Sequence, residues 1–232
     1  MRLANSQGFE TGIVTNGYWA VGVEEAIAAL EPLASLRLVD LSVSTDRFHG
    51  EEESAEWRHI REATSHLGIP VDTISIAPPC APVREGDLRF RGRAAERLVA
   101  GLPLVPWDTL NSCPHETLDD PTRVHVDPFG NVHLCQGLLL GNVRERPLEE
   151  WVEAYCPEAH PIVGPLLTEG PAGLVRRYHL PHAAAYVEEC HLCYRAREAL
   201  RARFPQFLGP DQVYGRTIGP PRQRPVISDT CI

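Results

Sequence analysis

Cys190-His191-Leu192-Cys193 sets two thiols three positions apart, a spacing used for zinc ligation, for thiol–disulfide redox and for iron–sulfur clusters. The bland alternative is two ordinary cysteines near a helix start. A thioredoxin-type redox site is disfavoured, because this CxxC does not follow the entry strand of a βαβ unit. Two further cysteines change the weighing. Cys135 lies five positions after Gly130, giving G-x4-C at the end of a predicted hairpin strand, and Cys113 lies 22 positions before Cys135. The hairpin, with Pro128-Phe129-Gly130-Asn131 at its turn, can bring the second strand's sulfur back to one that precedes the first strand. A helix after Cys193 can close over the same point. Four thiolates converging from separated segments suit zinc or a [4Fe–4S] cluster. Zinc ribbons use two CxxC knuckles and this chain has one, so the wide first spacing favours the cluster. Cys156, just past a predicted helix, is the alternative to Cys113. Cys80 and Cys231 read as a loop thiol and a terminal thiol.

The rest of the composition narrows the field. The chain has 232 residues, 43% hydrophobic and 23% charged, with a formal net charge of −9. That charge disfavours a nucleic-acid partner, since phosphate contact needs a basic surface. All 22 basic residues are arginine. With no lysine, a Schiff base or a P-loop lysine is excluded on this chain. The seven cysteines are odd in number. With no long apolar run and no export signal in view, the expected location is the cytoplasm and no membrane partner is expected. In a reducing compartment, metal binding or catalysis outranks disulfides as their purpose.

The elements that must position these residues fall into two styles. Through about residue 102 the pattern alternates strand and helix. Apolar strands are predicted at Glu10–Asn16, Leu36–Asp46 and from Val71, in "VDTISIAPP". Between them lie two amphipathic helices, one with Val23, Ala26, Ile27, Leu30 and Leu33 on one face, the other with Trp57, Ile60, Thr64 and Leu67. Pro32 is expected to end or bend the first, and Gly68 and Pro70 to stop the second. This βαβαβ rhythm predicts an α/β fold with parallel strands. Beyond about Pro103 the chain turns rich in proline, histidine and cysteine. Helices are predicted at 147–155, 172–186 and 194–204, with an irregular tail over 209–232. The expected organisation is therefore 1–102, 103–208 and 209–232.

The pattern C-x16-G-x4-C, a gap, then CxxC resembles the C-terminal auxiliary-cluster module of radical S-adenosylmethionine (SAM) enzymes. "VHVDPFGNVHLC" and "LLLGNVRERPLEEW" are similar to its hairpin and following helix. With only Cys231 after Cys193, the one-cluster twitch form fits better than the larger SPASM form. "TNGYW" and "LSVSTDRFH" resemble strand ends of the radical SAM partial (β/α) barrel, and "RGRAAE" a segment after its fifth strand. The resemblance covers the chain to about Phe204. It implies a partial barrel followed by a twitch-like module, with Cys113, Cys135, Cys190 and Cys193 on one auxiliary [4Fe–4S] cluster. It implies that Thr15, Asn16, Ser44 and Asp46 face SAM, at the carboxyl ends of the strands where parallel α/β folds bind ligands. Expected partners are a peptide or small-molecule substrate and an electron donor.

The family's CxxxCxxC and glycine-rich segments are not in this sequence. They are expected before Met1, so the chain reads as the C-terminal part of such an enzyme, inactive as it stands. Two alternatives stay open: a four-cysteine zinc-structured binding protein, and a degenerate, non-catalytic cluster-binding module. Other residues carry weaker signals. His49 and Asp40 could face a cavity, Arg93 a carboxylate, and His179, His182 and His191 a zinc ion. A structural hydrogen bond or surface ion pair explains each as well.

Overall fold

In the computed structural model, which describes residues 1–45, 54–74 and 89–215, the first part begins with a short helix α1 (Arg2–Ser6) and then alternates strand and helix. Strand β1 (Gly12–Thr15), helix α2 (Val23–Ala34), β2 (Asp40–Ser44), α3 (Ala55–Leu67) and β3 (Val71–Ile74) follow in order. The three strands form one parallel sheet in the order β1-β2-β3, as the rhythm predicts. Ser54 caps α3 by accepting from the Trp57 amide at 3.1 Å, and Gly68 ends it in the left-handed region. Helix α2 runs past Pro32 to Ala34. A proline so near the end removes an N–H from the last turn only, so the helix tolerates it. The predicted strand from Leu36 begins only at Asp40, because Arg37 takes a left-handed turn (φ 54°) after the helix.

Register fixes which side chains share a sheet face. Ile13 pairs with Leu41, Thr15 with Val43, and Leu41 with Val71. This face packs against Ala26 and Leu30 of α2 and Ile60 and Ala63 of α3, making a core of Ala20, Leu38, Leu41, Val43 and their neighbours. The opposite face carries Val14, Ser42, Ser44 and Ile74, with Val14 66% exposed. Asp40 lies on that face too, and its carboxylate accepts from the Ser42 hydroxyl at 3.0 Å.

By its contacts the chain divides into two compact units, Met1–Asp87 and Leu88–Ile232. The second unit mixes small elements: α4 (Ala94–Arg97), β4 (Val105–Pro106), a 3-10 turn (Trp107–Thr109), β5 (His125–Val126), β6 (Asn131–Cys135), β7 (Leu138–Asn142), α5 (Leu148–Glu153), α6 (Val163–Tyr178), β8 (Ala185–Tyr186), α7 (Glu189–Leu200) and a 3-10 turn (Asp211–Tyr214). Strands β5-β6-β7 form an antiparallel sheet, and β4 pairs with β8. The core joins Val132, Leu134 and Leu138 of the sheet to Ile162, Leu166 and Leu174 around α6 and Leu192 of α7. Among the described residues, no helix is long and apolar enough to cross a membrane.

Two predicted helices shift. The one expected over 172–186 starts at Val163 and ends at Tyr178, where His179 caps it at φ 51°. Pro165 is accepted because it sits in the first turn, where its missing N–H costs nothing. A kink at Gly170-Pro171 divides α6 (Gly170 φ 60°, ψ −162°). The helix expected from Tyr194 starts earlier, at Glu189, and so contains the CxxC.

Candidate metal centre

Three local devices hold the four cysteines. The hairpin turn places Cys135. Asp127 Oδ1 accepts from the amides of Phe129 (2.8 Å) and Asn131 (3.0 Å), and Gly130 takes φ 88°. A Cβ at Gly130 would meet Asn142 Oδ1 at 2.8 Å, which explains the glycine of G-x4-C. Strand β6 then runs to Cys135, opposite Leu138, with irregular register on either side of His133. Cys113 follows the Leu110–Ser112 segment, which lies against the kink of α6. The Ala172 amide donates to the Leu110 carbonyl at 3.1 Å. A Cβ at Gly170 would approach the backbone of Asn111 and Ser112 to 2.2 Å, so only glycine allows this contact. Cys190 and Cys193 sit in the first turns of α7. There the exposed backbone N–H groups favour negative charge.

These devices bring the four predicted ligands together. Cys113, Cys135, Cys190 and Cys193 line one cavity of about 20 Å³, with Arg91, His115, Glu116 and Arg197 on the same wall. That volume has room for a water molecule or a single ion between the sulfurs. Cys135 is buried, and Cys113, Cys190 and Cys193 are partly so. Cys156 is exposed, with its sulfur toward Glu158, and has no place on this cavity. Cys80 and Cys231 lie outside the described residues.

Burial pushes the Cys113 thiol up to about 12, and the neighbouring Cys193 and Cys135 add to the shift. Burial likewise raises Cys190, with Glu188 and Cys193 contributing, and raises Cys193. Clustered thiols of this kind stay protonated at neutral pH until a metal displaces the protons. Two cations face them. Arg91 donates from Nη1 to Cys135 Sγ at 2.9 Å, and the same nitrogen lies 3.2 Å from Glu116 Oε1. Arg197 is 1% exposed, donates to the Gln136 carbonyl at 2.9 Å and leaves its Nε without an acceptor. Burial opposes the charge on both; the neighbouring sulfurs once ionised, with Glu116 beside Arg91 and Tyr214 beside Arg197, hold both guanidiniums above their ordinary range. Among the described residues, Arg197 meets no carboxylate. A buried guanidinium needs a counter-charge, and ionised thiols are the groups placed to supply it.

Beside the cysteines lies a mixed set. His115, Glu188 and Cys190 are, among the described residues, the group of three ligating atoms that all lie within 4.8 Å of one another. Glu188 is buried, accepts from the Phe90 amide at 2.8 Å and faces Arg89 at 3.8 Å and His115 at 3.9 Å. Burial raises its pKa despite those partners.

Of the residues expected to face SAM, Thr15 and Ser44 lie on opposite faces of the sheet. Ser44 lies on the open sheet face. Thr15 points to the helix-covered face, where its hydroxyl oxygen accepts from the Gly17 amide (3.1 Å) and the Trp19 indole (2.9 Å). Asn16 is exposed just past β1. Asp46 and His49 lie outside the described residues. Arg93 is exposed before α4. The three histidines stay apart. His179 caps a helix, His182 packs on Trp107, and His191 is buried against Tyr186 and accepts from the Val187 amide at 3.3 Å.

Arg91, Arg197, His115 and Glu188 stand beside the cysteines and were not singled out for this site by the sequence reading. Arg197 had a signal: it stands four positions after Cys193 and so shares its helical face. The other three come from loops whose folding no local pattern predicts. No protein-family model matches this chain, and no curated protein matches it.

Proposed function

We propose that the second unit holds one iron–sulfur cluster on Cys113, Cys135, Cys190 and Cys193, and that the chain is the partial-barrel and auxiliary-cluster portion of a radical SAM enzyme of the twitch type. The observation that carries the metal reading is the meeting of four thiols and two guanidiniums at one small cavity. Sulfur spacing favours a cluster over a single zinc ion. Tetrahedral zinc with bonds of about 2.3 Å needs sulfurs about 3.8 Å apart. No three of these thiols lie mutually within 4.8 Å. A cluster sets a separate iron behind each sulfur and tolerates the wider spacing. The group supplies one-electron chemistry when bound, so an electron donor or acceptor is the expected partner.

The SAM reading rests on the first unit. A parallel sheet with helices on one face leaves its other face for a ligand, and Ser44 stands at the carboxyl end of that face. Thr15 does not fit this role, because its oxygen is engaged on the helix side. The substrate, peptide or small molecule, remains that of the resemblance.

Anaerobic purification with iron, sulfide and zinc analysis tests the metal reading. About four irons and matching sulfide per chain, lost in Cys135→Ser, are expected. Zinc at one per chain without iron would overturn it. One observation favours that outcome as a second reading, namely a mononuclear ion on His115, Glu188 and Cys190. Such an ion would leave with His115→Ala, whereas the cluster would not.

A further inference from the structure

We propose that Arg91 and Arg197 are positioning residues that raise the reduction potential of the group held by the four cysteines. The inference rests on the cluster reading above. The two guanidiniums reach the ligands from different elements. Arg91 comes from the loop before α4 and donates to Cys135 Sγ at 2.9 Å. Arg197 comes from α7, one turn beyond Cys193 and on the same helical face, and is sealed from solvent. Each is fixed by a second partner: Arg91 by Glu116 at 3.2 Å, Arg197 by the Gln136 carbonyl at 2.9 Å. The backbone of Gln136 follows Cys135 directly, so Arg197 is tied to both the helix and the hairpin that carry ligands.

Reduction adds one electron from an external donor to a group that thiolates already make negative. No proton or bond change is needed for the balance. The reduced state carries the extra negative charge, so fixed nearby cations and N–H donors to sulfur stabilise it more than the oxidised state. Low local dielectric magnifies the difference, because Arg197 has no solvent to screen it. Arginine suits the task, since the guanidinium keeps its proton where a buried lysine would shed it. Glu116 works in the opposite direction. It holds Arg91 in place but offsets part of its charge.

An anaerobic redox titration with dithionite, followed by visible absorption and electron paramagnetic resonance, tests this on the full chain. Arg91→Gln is expected to lower the reduced-to-oxidised ratio about tenfold at a fixed potential, a downward shift of about 59 mV. Arg91→Lys keeps the charge and loses the fork, so its shift is smaller and in the same direction. Glu116→Gln keeps the side-chain size and removes the offsetting charge, so its potential rises. Opposite shifts in Arg91→Gln and Glu116→Gln would not arise from general loosening of the fold. An unchanged potential in Arg91→Gln, with iron content intact, overturns the inference and leaves the cluster reading standing. If Arg91→Gln loses its iron, Arg91→Lys and Glu116→Gln decide, and unchanged potentials in both overturn it. Wild-type protein without iron overturns the cluster reading itself, and the inference with it.

Discussion

The first unit buries Ala26, Leu30, Leu41, Ile60 and, among polar groups, only Thr45 and Thr64 of its described residues. The second encloses Arg197, Glu188, His133, His160 and His191 alongside its aliphatic core. The first is held together by side-chain transfer from water, spread over a sheet and two helices. The second places charged and ligating groups at its centre and must satisfy each one. A unit of the first kind tolerates local change wherever volume is kept, while one of the second kind depends on a few contacts that cannot move. The loops around the cysteines are the clearest case, because glycines at Gly130 and Gly170 admit approaches that any side chain would block.

The largest expected effect falls at the kink of α6. Gly170→Ala would force a Cβ into the Asn111–Ser112 backbone at a residue with φ 60°. Urea unfolding should show the second unit destabilised by on the order of 4 kcal/mol. The Cys113 thiol, in the adjoining loop, should become reactive toward a thiol reagent. A loss below about 1 kcal/mol would mean that the kink is adaptable and the contrast between the units overstated.

A smaller effect is expected from acid. His160 is 8% exposed, and burial lowers its pKa from 6.5 to about 4. Its Nδ1 accepts from the amides of Ile162 and Val163 at 3.1 Å each, so the neutral ring is the form the fold uses. Below pH 6.5 the unfolded chain binds the proton and the folded chain does not. Stability is therefore full above about pH 6.5 and falls as pH drops toward 4, by on the order of 3 kcal/mol. Denaturation midpoints taken across that window should show the fall, and His160→Asn, which keeps an acceptor for the amides, should flatten it. An equally steep profile in the variant would assign the acid sensitivity elsewhere.

The smallest effect tests the open face of the first unit. Val14 is 66% exposed, and Val14→Thr keeps both shape and strand preference. The unfolding free energy should change by less than about 0.5 kcal/mol. A loss of 2 kcal/mol or more would show that this face is packed.

Sequence patterns revealed the first unit well because its forces are local and periodic. Aliphatic and β-branched content picked out β2, which proves buried on one face rather than on both; the stripe of Trp57, Ile60 and Thr64 gave α3, and Gly68 marked its end. In the second unit the thiols that line the cavity were legible and their surroundings were not. Thiol chemistry and the G-x4-C turn picked out Cys113, Cys135, Cys190 and Cys193. The helix expected over 172–186 begins just past Gly170-Pro171, whereas α6 runs across that kink from Val163. Strand β7 is a short apolar run that periodicity alone could not separate from a buried helix. Arg91 and His115 are placed by loops, where spacing in sequence says little about proximity in space.

The seclusion of Arg197 bears on the order in which the protein is assembled. Its guanidinium cannot lose its proton, and α7 cannot close without carrying that charge inside. While the surrounding thiols are protonated, no carboxylate among the described residues pairs with it, and burying the charge is opposed. Each thiol that gives up its proton to a metal removes part of that opposition. On the reading proposed above, insertion of the metal and closure of α7 are one event.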